Sequence, residues 1–183
     1  MGGLAAIAES EVQSFEALVA THRARVFRFA LASLRDRDAA ETVTQDCFLR
    51  AYQARENFRG DSSVQTWLMK IAVNLIRDAA RSRRCQFWRR TSASAVLLDS
   101  AGNFIPDTGS SPEARASAKQ QITAMWKAVD RLSPNQRRVF LLHFMEGMDP
   151  AEITEVTGIT NATVRVHLSR AVRTVREKLR KQL

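Results

Sequence analysis

The stretch DPAEITEVTGITNATVRVHLSRAVR, Asp149 to Arg173, spells two short helices joined by a glycine turn, the second of them basic. Asp149 is placed to N-cap the first helix, with Pro150 in its first turn, where a missing N–H removes no hydrogen bond. Ile153 and Val156 fall on one face of that helix. Gly158 can take the left-handed conformation that stops it, and Thr160 can cap the next helix, which begins at Asn161. There Val164, Leu168, Ala171 and Val175 recur at spacings of three and four, which turns them inward and leaves Arg165, Val166, Ser169, Arg170 and Arg173 outward. This is the pattern of a helix-turn-helix whose second helix enters a major groove.

An ordinary helical hairpin with a solvated basic face would carry similar turn signals. Charge favours the DNA reading. From Lys119 to the end there are 12 Lys/Arg against 6 Asp/Glu, whereas residues 1–85 hold 13 against 10 and residues 86–118 balance. Most of the net charge of +9 therefore lies in the C-terminal third. A basic terminal helix and a pI of about 10.7 suit a polyanion, because neutralised phosphates release counterions. A membrane surface could use the same charge, but the terminal helix lacks the broad aromatic and leucine face of an interfacial anchor.

The 183 residues, 45% of them hydrophobic, can fill packed cores. Apolar residues recur with helical period and no alternating strand pattern of convincing length appears, so the expected class is all-α. Gln86 to Glu113 breaks the periodicity with Thr91, Ser92, Ser94, Gly102, Pro106, Gly109, Ser110, Ser111 and Pro112. The expected organisation is a helical domain at 10–85, a linker at 86–117 and a second helical domain at 118–183. Trp88, Leu97, Leu98, Phe104 and Ile105 make that linker apolar enough to dock on something.

Cys47 and Cys85 lack paired Cys/His spacing, so neither a metal site nor a disulfide framework is supported. His22, His143 and His167 are isolated from one another and accompany no nucleophile pattern, so no active site or cofactor is indicated. The chain shows no basic segment followed by an apolar core at its start and no apolar run near the ~20 residues that span a bilayer. No membrane insertion and a cytoplasmic location are expected.

In the N-terminal half, Phe15, Leu18, Val19, Val26, Phe27, Ala30 and Leu34 form the stripe of one or two helices, continued by Ala40, Val43, Cys47, Phe48, Ala51 and Tyr52. Beyond them a polar loop of Arg59, Gly60, Asp61 and Ser62 opens a helix carrying Trp67, Lys70, Asn74, Asp78 and Arg81. Spacings of three and four set these polar groups on a common side, while Leu68, Ile71, Ala72, Leu75 and Ile76 face the bundle. Such a surface suits single-stranded nucleic acid, whose bases stack or lodge in pockets while cations hold phosphates. A tryptophan on a helix is, however, more often part of a core.

Three segments in order resemble the extracytoplasmic-function sigma factors, the small two-domain class of the bacterial sigma-70 family. AETVTQDCFLRAY (40–52) resembles the family's polymerase-docking helix, TWLMKIAVNLIRD (66–78) its minus-ten recognition helix, and residues 132–171 its minus-35 domain. The resemblance covers nearly the whole chain and implies a specificity subunit rather than an enzyme. Such a subunit binds core RNA polymerase, directs it to promoter DNA and helps open the duplex. It implies docking of Glu41, Gln45, Asp46 and Phe48 on the clamp coiled-coil of the largest polymerase subunit, with a further contact to the flap. Thr42 stands where the family usually has an acid, which removes one charge pair worth ~0–1 kcal/mol.

Arg59 to Gln65 match the family loop that captures an extruded non-template base, and Asn74 matches a position that reads it, an amide offering both donors and acceptors. Lys70, Arg77 and Arg81 would hold phosphates. In the minus-35 helix the resemblance sets Thr163 near phosphate and Arg165, Val166, Ser169 and Arg170 near base edges. Val166 and His167 depart from the family's usual Ser and Arg, so base preference does not carry over. The family commonly has an anti-sigma factor as partner. With one, the two domains would be clamped around it or against each other, hiding Glu41 to Phe48 and Arg165 to Arg173. No long C-terminal extension follows the last basic helix, and no appended regulatory domain is expected.

Two other classes compete. A two-domain repressor or activator would leave residues 40–52 and 58–78 as bundle surface. A nucleic-acid enzyme would need a carboxylate cluster, and Asp36, Asp38 and Glu41 are more simply read as helix-start residues.

Overall fold

The computed structural model describes residues 2–58, 60–86 and 112–180, with side chains from Ser14 onward except those of 83–86, 112–117 and 119. Every regular element among them is helical: α1 (Gly2–Leu34), α2 (Arg37–Gln53), a 3-10 turn (Arg55–Asn57), α3 (Val64–Gln86), α4 (Pro112–Val129), α5 (Pro134–Phe144), α6 (Pro150–Thr157) and α7 (Asn161–Arg180). The class is all-α, as the periodicity predicts. Pro112 opens α4 inside the stretch read as linker, since a proline in a first turn gives up no hydrogen bond. Trp88 and its apolar neighbours, with the docking expected of them, lie outside the described residues, as does Arg59.

Short polar residues set the helix ends. Asp36 caps α2 by accepting from the Ala39 amide at 2.9 Å, which accounts for that acid structurally. Asp149 accepts from the amides of Ala151 and Glu152, and the Glu152 carboxylate accepts from the Asp149 amide at 2.9 Å. That reciprocal cap is worth about 1 kcal/mol. Gly158 ends α6 at φ 71 with nothing within 4 Å of a Cβ, so the left-handed backbone and not crowding calls for glycine there. The Thr160 hydroxyl departs from the expected cap and pairs with that of Thr163 at 2.9 Å.

Helices α1, α2 and α3 pack together through Val26, Phe29, Ala30, Cys47, Leu68, Ala72 and Leu75. The expected stripe named Phe27, but the helix buries Phe29 completely and leaves Phe27 half-buried. Helices α4 to α7 enclose Leu132, Val139, Leu142, Ile153, Val156 and Val164, with Trp126 packed against them as expected. The two groups share one continuous core, because α3 also packs on α6 and α1 on α5. Met69 and Val73, absent from the face assigned to the bundle, are buried for this reason. With Gln65 they form a second stripe at spacings of four, turned toward the C-terminal helices.

Candidate polymerase and promoter interfaces

On α2, Gln45 is exposed, Glu41 and Asp46 are half-buried, and Phe48 is buried at 7% exposure. Phe48, expected at the docking surface, lies in the core of the free chain, sharing its inward face with Val43, Thr44, Cys47 and Ala51. The outward apolar groups are Leu49 at 56% and Tyr52 at 38%, spaced four and seven residues from Gln45. Leu49 was not singled out in sequence, and Tyr52, expected on the inward stripe, is exposed instead. Tyr52 is held edge-on to Phe15 at 5.1 Å and lies under the Arg55 guanidinium at 4.2 Å. Glu41 pairs with Arg23 at 2.9 Å on an exposed surface, a contact a partner would displace at a cost of about 1 kcal/mol or less. The Thr42 hydroxyl donates to the Asp38 carbonyl at 2.9 Å and is satisfied within its own helix.

If Leu49 is the apolar contact, Leu49→Asp should weaken binding to a polymerase clamp fragment about tenfold and leave the melting temperature unchanged. Phe48→Ala should do the reverse, losing about 3 kcal/mol of stability. Titration and thermal unfolding of both variants check this, and equal binding by Leu49→Asp and wild type would sink it.

The loop before α3 exposes Gly60 and Asp61 and half-buries Ser62; Gly60 sits at φ 76, a conformation glycine adopts freely. Ser63 and Thr66 exchange a hydroxyl hydrogen bond at 2.8 Å and fix the start of the helix. Along α3, Trp67, Lys70, Asn74, Arg77 and Arg81 alternate at three and four residues and share one side. Lys70, Arg77 and Arg81 are exposed and Asn74 and Trp67 half-buried. The C-terminal helices leave Lys70, Arg77 and Arg81 exposed on this side, although they approach it at Arg77. Trp67 is neither fully core nor free: its ring stacks at a tilt on Phe58, centroids 4.9 Å apart, beside a cavity of about 430 Å³ walled by Phe15, Leu18, Arg55 and Val64. Arg77 has a like charge near it, Arg138 of α5, whose guanidinium is held below its usual range by burial and by Arg77.

On α7, Thr163, Arg165, Val166, Ser169, Arg170 and Arg173 are all exposed, Val166 at 46%. They face away from Val164, Ala171 and Val175, which are buried as the spacing predicts, while Leu168 is half-buried. Arg165 is pre-positioned by a hydrogen bond from its Nε to Asn161 Oδ1 at 2.8 Å. Arg165, Ser169 and Arg173 continue into Arg176 and Arg180 along a groove of about 690 Å³. Arg176 and Arg180 continue the spacing beyond the helix-turn-helix stretch.

The Cys47 thiol is buried and pushed up to about 12, which makes it inert at neutral pH. Among the described residues no group of His, Cys, Asp or Glu could hold a metal, and no helix is long and apolar enough to cross a membrane.

Comparison with known proteins identifies the family. Residues 18–85 match Sigma-70 region 2, and residues 122–175 match Sigma-70, region 4. The chain is 33% identical over 91% of its length to a probable RNA polymerase sigma factor RfaY of Xanthomonas campestris, of which it spans 40%. It is 32% identical over 96% of its length to the ECF RNA polymerase sigma factor SigL of Mycobacterium tuberculosis, covering 94% of that protein. In fold it is similar to the sigma factor RpoE of Bartonella quintana, solved with the anti-sigma factor NepR, at a TM-score of 0.69, 22% identity and coverage of 92% and 98%. The chain belongs to the extracytoplasmic-function class of the sigma-70 family. It is an RNA polymerase sigma factor, a transcription initiation factor and not an enzyme.

Proposed function

We propose that this sigma factor docks on core RNA polymerase through the outward face of α2, with Glu41, Gln45, Asp46 and Leu49 meeting the clamp coiled-coil, and that the C-terminal helices contact the flap. Residues 10–85 then act as the minus-ten and melting unit, residues 118–183 as the minus-35 unit, and 86–117 as the connection. Arg59 to Ser62 and Asn74 take the extruded base, Trp67 supports it, and Lys70, Arg77 and Arg81 hold phosphates. Extrusion costs a few kcal/mol of stacking, which hydrogen bonds and aromatic contacts offset. Arg165, Val166, Ser169 and Arg170 read the minus-35 major groove, with Thr163 and Arg173 on phosphates. The protein works in the cytoplasm under control of an anti-sigma factor. The observation that supports this reading best is that the polar faces of α3 and α7 both stay open to solvent while their opposite faces are core.

Transcription in vitro with core polymerase over a library of promoter fragments tests it. Promoter-specific transcripts should require the protein and fall about tenfold in Asn74→Ala and in Arg170→Ala, each removing a contact worth ~1–3 kcal/mol. Duplex binding with no polymerase-dependent transcript would instead indicate a helix-turn-helix regulator.

A further inference from the structure

Glu146 lies in the turn between α5 and α6, its side chain only 2% exposed. Three elements meet at it. Arg25 of α1 donates from Nη1 to Gln65 Oε1 at 2.7 Å, and Gln65, at the head of α3, donates from Nε2 to the Glu146 carbonyl at 2.9 Å. The Arg25 Nε approaches Glu146 Oε2 to 3.0 Å without the alignment of a hydrogen bond. A second ion pair, Arg35 with Asp130, joins the α1–α2 turn to the end of α4. Gln65 is also the last residue of the loop that matches the family's base-capturing segment.

Promoter elements centred near positions −35 and −10 are roughly 25 base pairs apart, about 85 Å of duplex at 3.4 Å per step. A compact chain of this length has a radius of gyration of about 16 Å and is about 40 Å across. The closed body cannot read both elements at once. The 25 residues from 87 to 111 have a contour of at most ~85 Å, so chain length permits the two helical groups to part.

We propose that Arg25, Gln65 and Glu146 form a releasable clasp that holds the minus-ten and minus-35 helices in one closed body, which must open before a promoter is engaged. The need for opening rests on the functional reading above; the clasp itself does not. Release is built in, because a buried carboxylate with one misaligned cation is poorly compensated. Burial pushes Glu146 up to about 7 against the opposing pull of Arg25 and Arg28. Around it stand Arg25 and Arg28 on α1 and the neutral Gln65 on α3, while His22 lies near Arg25 and is held below its ordinary range by burial and by that arginine. On its own side are His143, whose Nδ1 meets the Met148 carbonyl, and Asp149, which caps α6. Since the closed-state pKa exceeds the ordinary value of 4.5, the closed body binds the proton more tightly. Closure is then favoured below about pH 4.5, and that advantage is lost as pH rises through about 7.

Spin labels at Arg50→Cys and Glu177→Cys in a Cys85→Ser background, on exposed turns of α2 and α7, report the separation of the two groups in the full chain. The buried Cys47 does not compete for label. Wild type should show a short distance whose share falls between pH 5 and pH 8, and Glu146→Gln should keep the short distance at pH 8. Glu146→Lys, which faces Arg25 and Arg28 with a like charge, should raise the long-to-short ratio at least tenfold. Adding Arg25→Glu to it should restore the short distance, a rescue that simple misfolding would not show. An unchanged short distance in Glu146→Lys, or no recovery in the exchanged pair, would overturn the clasp. The distances need neither polymerase nor DNA, so an absence of transcripts from wild type would refute the functional reading without touching this result.

Discussion

Ile153→Asp should remove about 4 kcal/mol or more of stability and abolish cooperative melting of the C-terminal helices. Ile153 is completely buried on α6, and α6 packs against α3, α5 and α7 at once. Truncating such a side chain costs ~2–5 kcal/mol through lost burial and the cavity left behind. A carboxylate in its place finds no cation in this apolar setting and must either stay protonated or drag water in, and both add to the loss. Set against a typical total of ~5–15 kcal/mol, little is left. The informative control is Val166→Asp, on the neighbouring helix but 46% exposed, which should melt within ~0.5 kcal/mol of wild type while impairing DNA binding. Urea unfolding followed by circular dichroism reads both. An Ile153→Asp protein that unfolds at the wild-type midpoint would mean that α6 does not seal the core between the two helix groups.

Much of this was legible in the residues. Asp149, Pro150, Glu152 and Gly158 carry their structural instructions locally: a cap, a first-turn proline, a reciprocal carboxylate and a left-handed stop act within four residues. Helix periodicity likewise assigns Val164, Ala171 and Val175 to the core and Arg165, Ser169 and Arg170 to solvent. What resisted reading depends on a second neighbour. Met69 and Val73 are apolar residues on a helix whose inner face was already accounted for, and only the approach of α6 explains their burial. The burial of Phe48 was not legible in the family resemblance for a related reason: a family motif names positions, whereas burial follows from which face of α2 meets α1 and α3. Glu146 gave no sign in sequence, because a single acid in a turn normally faces water. Its burial arises from tertiary contacts of α1 and α3 with that turn.

The charge on α7 can be tested apart from sequence recognition, and its effect should be the larger of the two. Arg165, Arg170 and Arg173 are exposed on the outward half of a helix that continues through Arg176 and Arg180. If all three approach phosphates or base edges, replacing them together by alanine should lower affinity for a minus-35 duplex by about 100-fold or more. It should also flatten the dependence of log K on log salt by ~0.9 for each phosphate contact removed, so by ~0.9 if only Arg173 meets phosphate and by roughly 2.7 if all three do. The two kinds of contact then separate. A residue bound only to phosphate should change the salt slope by about one and weaken all duplexes alike, whereas one paired with guanine should cost ~1–3 kcal/mol on the cognate sequence and less elsewhere. Arg165 is constrained by Asn161 and should lose little entropy on binding, so Asn161→Ala should reproduce part of the Arg165→Ala defect without altering the salt slope. A triple variant with the wild-type slope would mean that the basic stripe of α7 does not face DNA, and the groove lined by Arg176 and Arg180 would then have to serve a different polyanion.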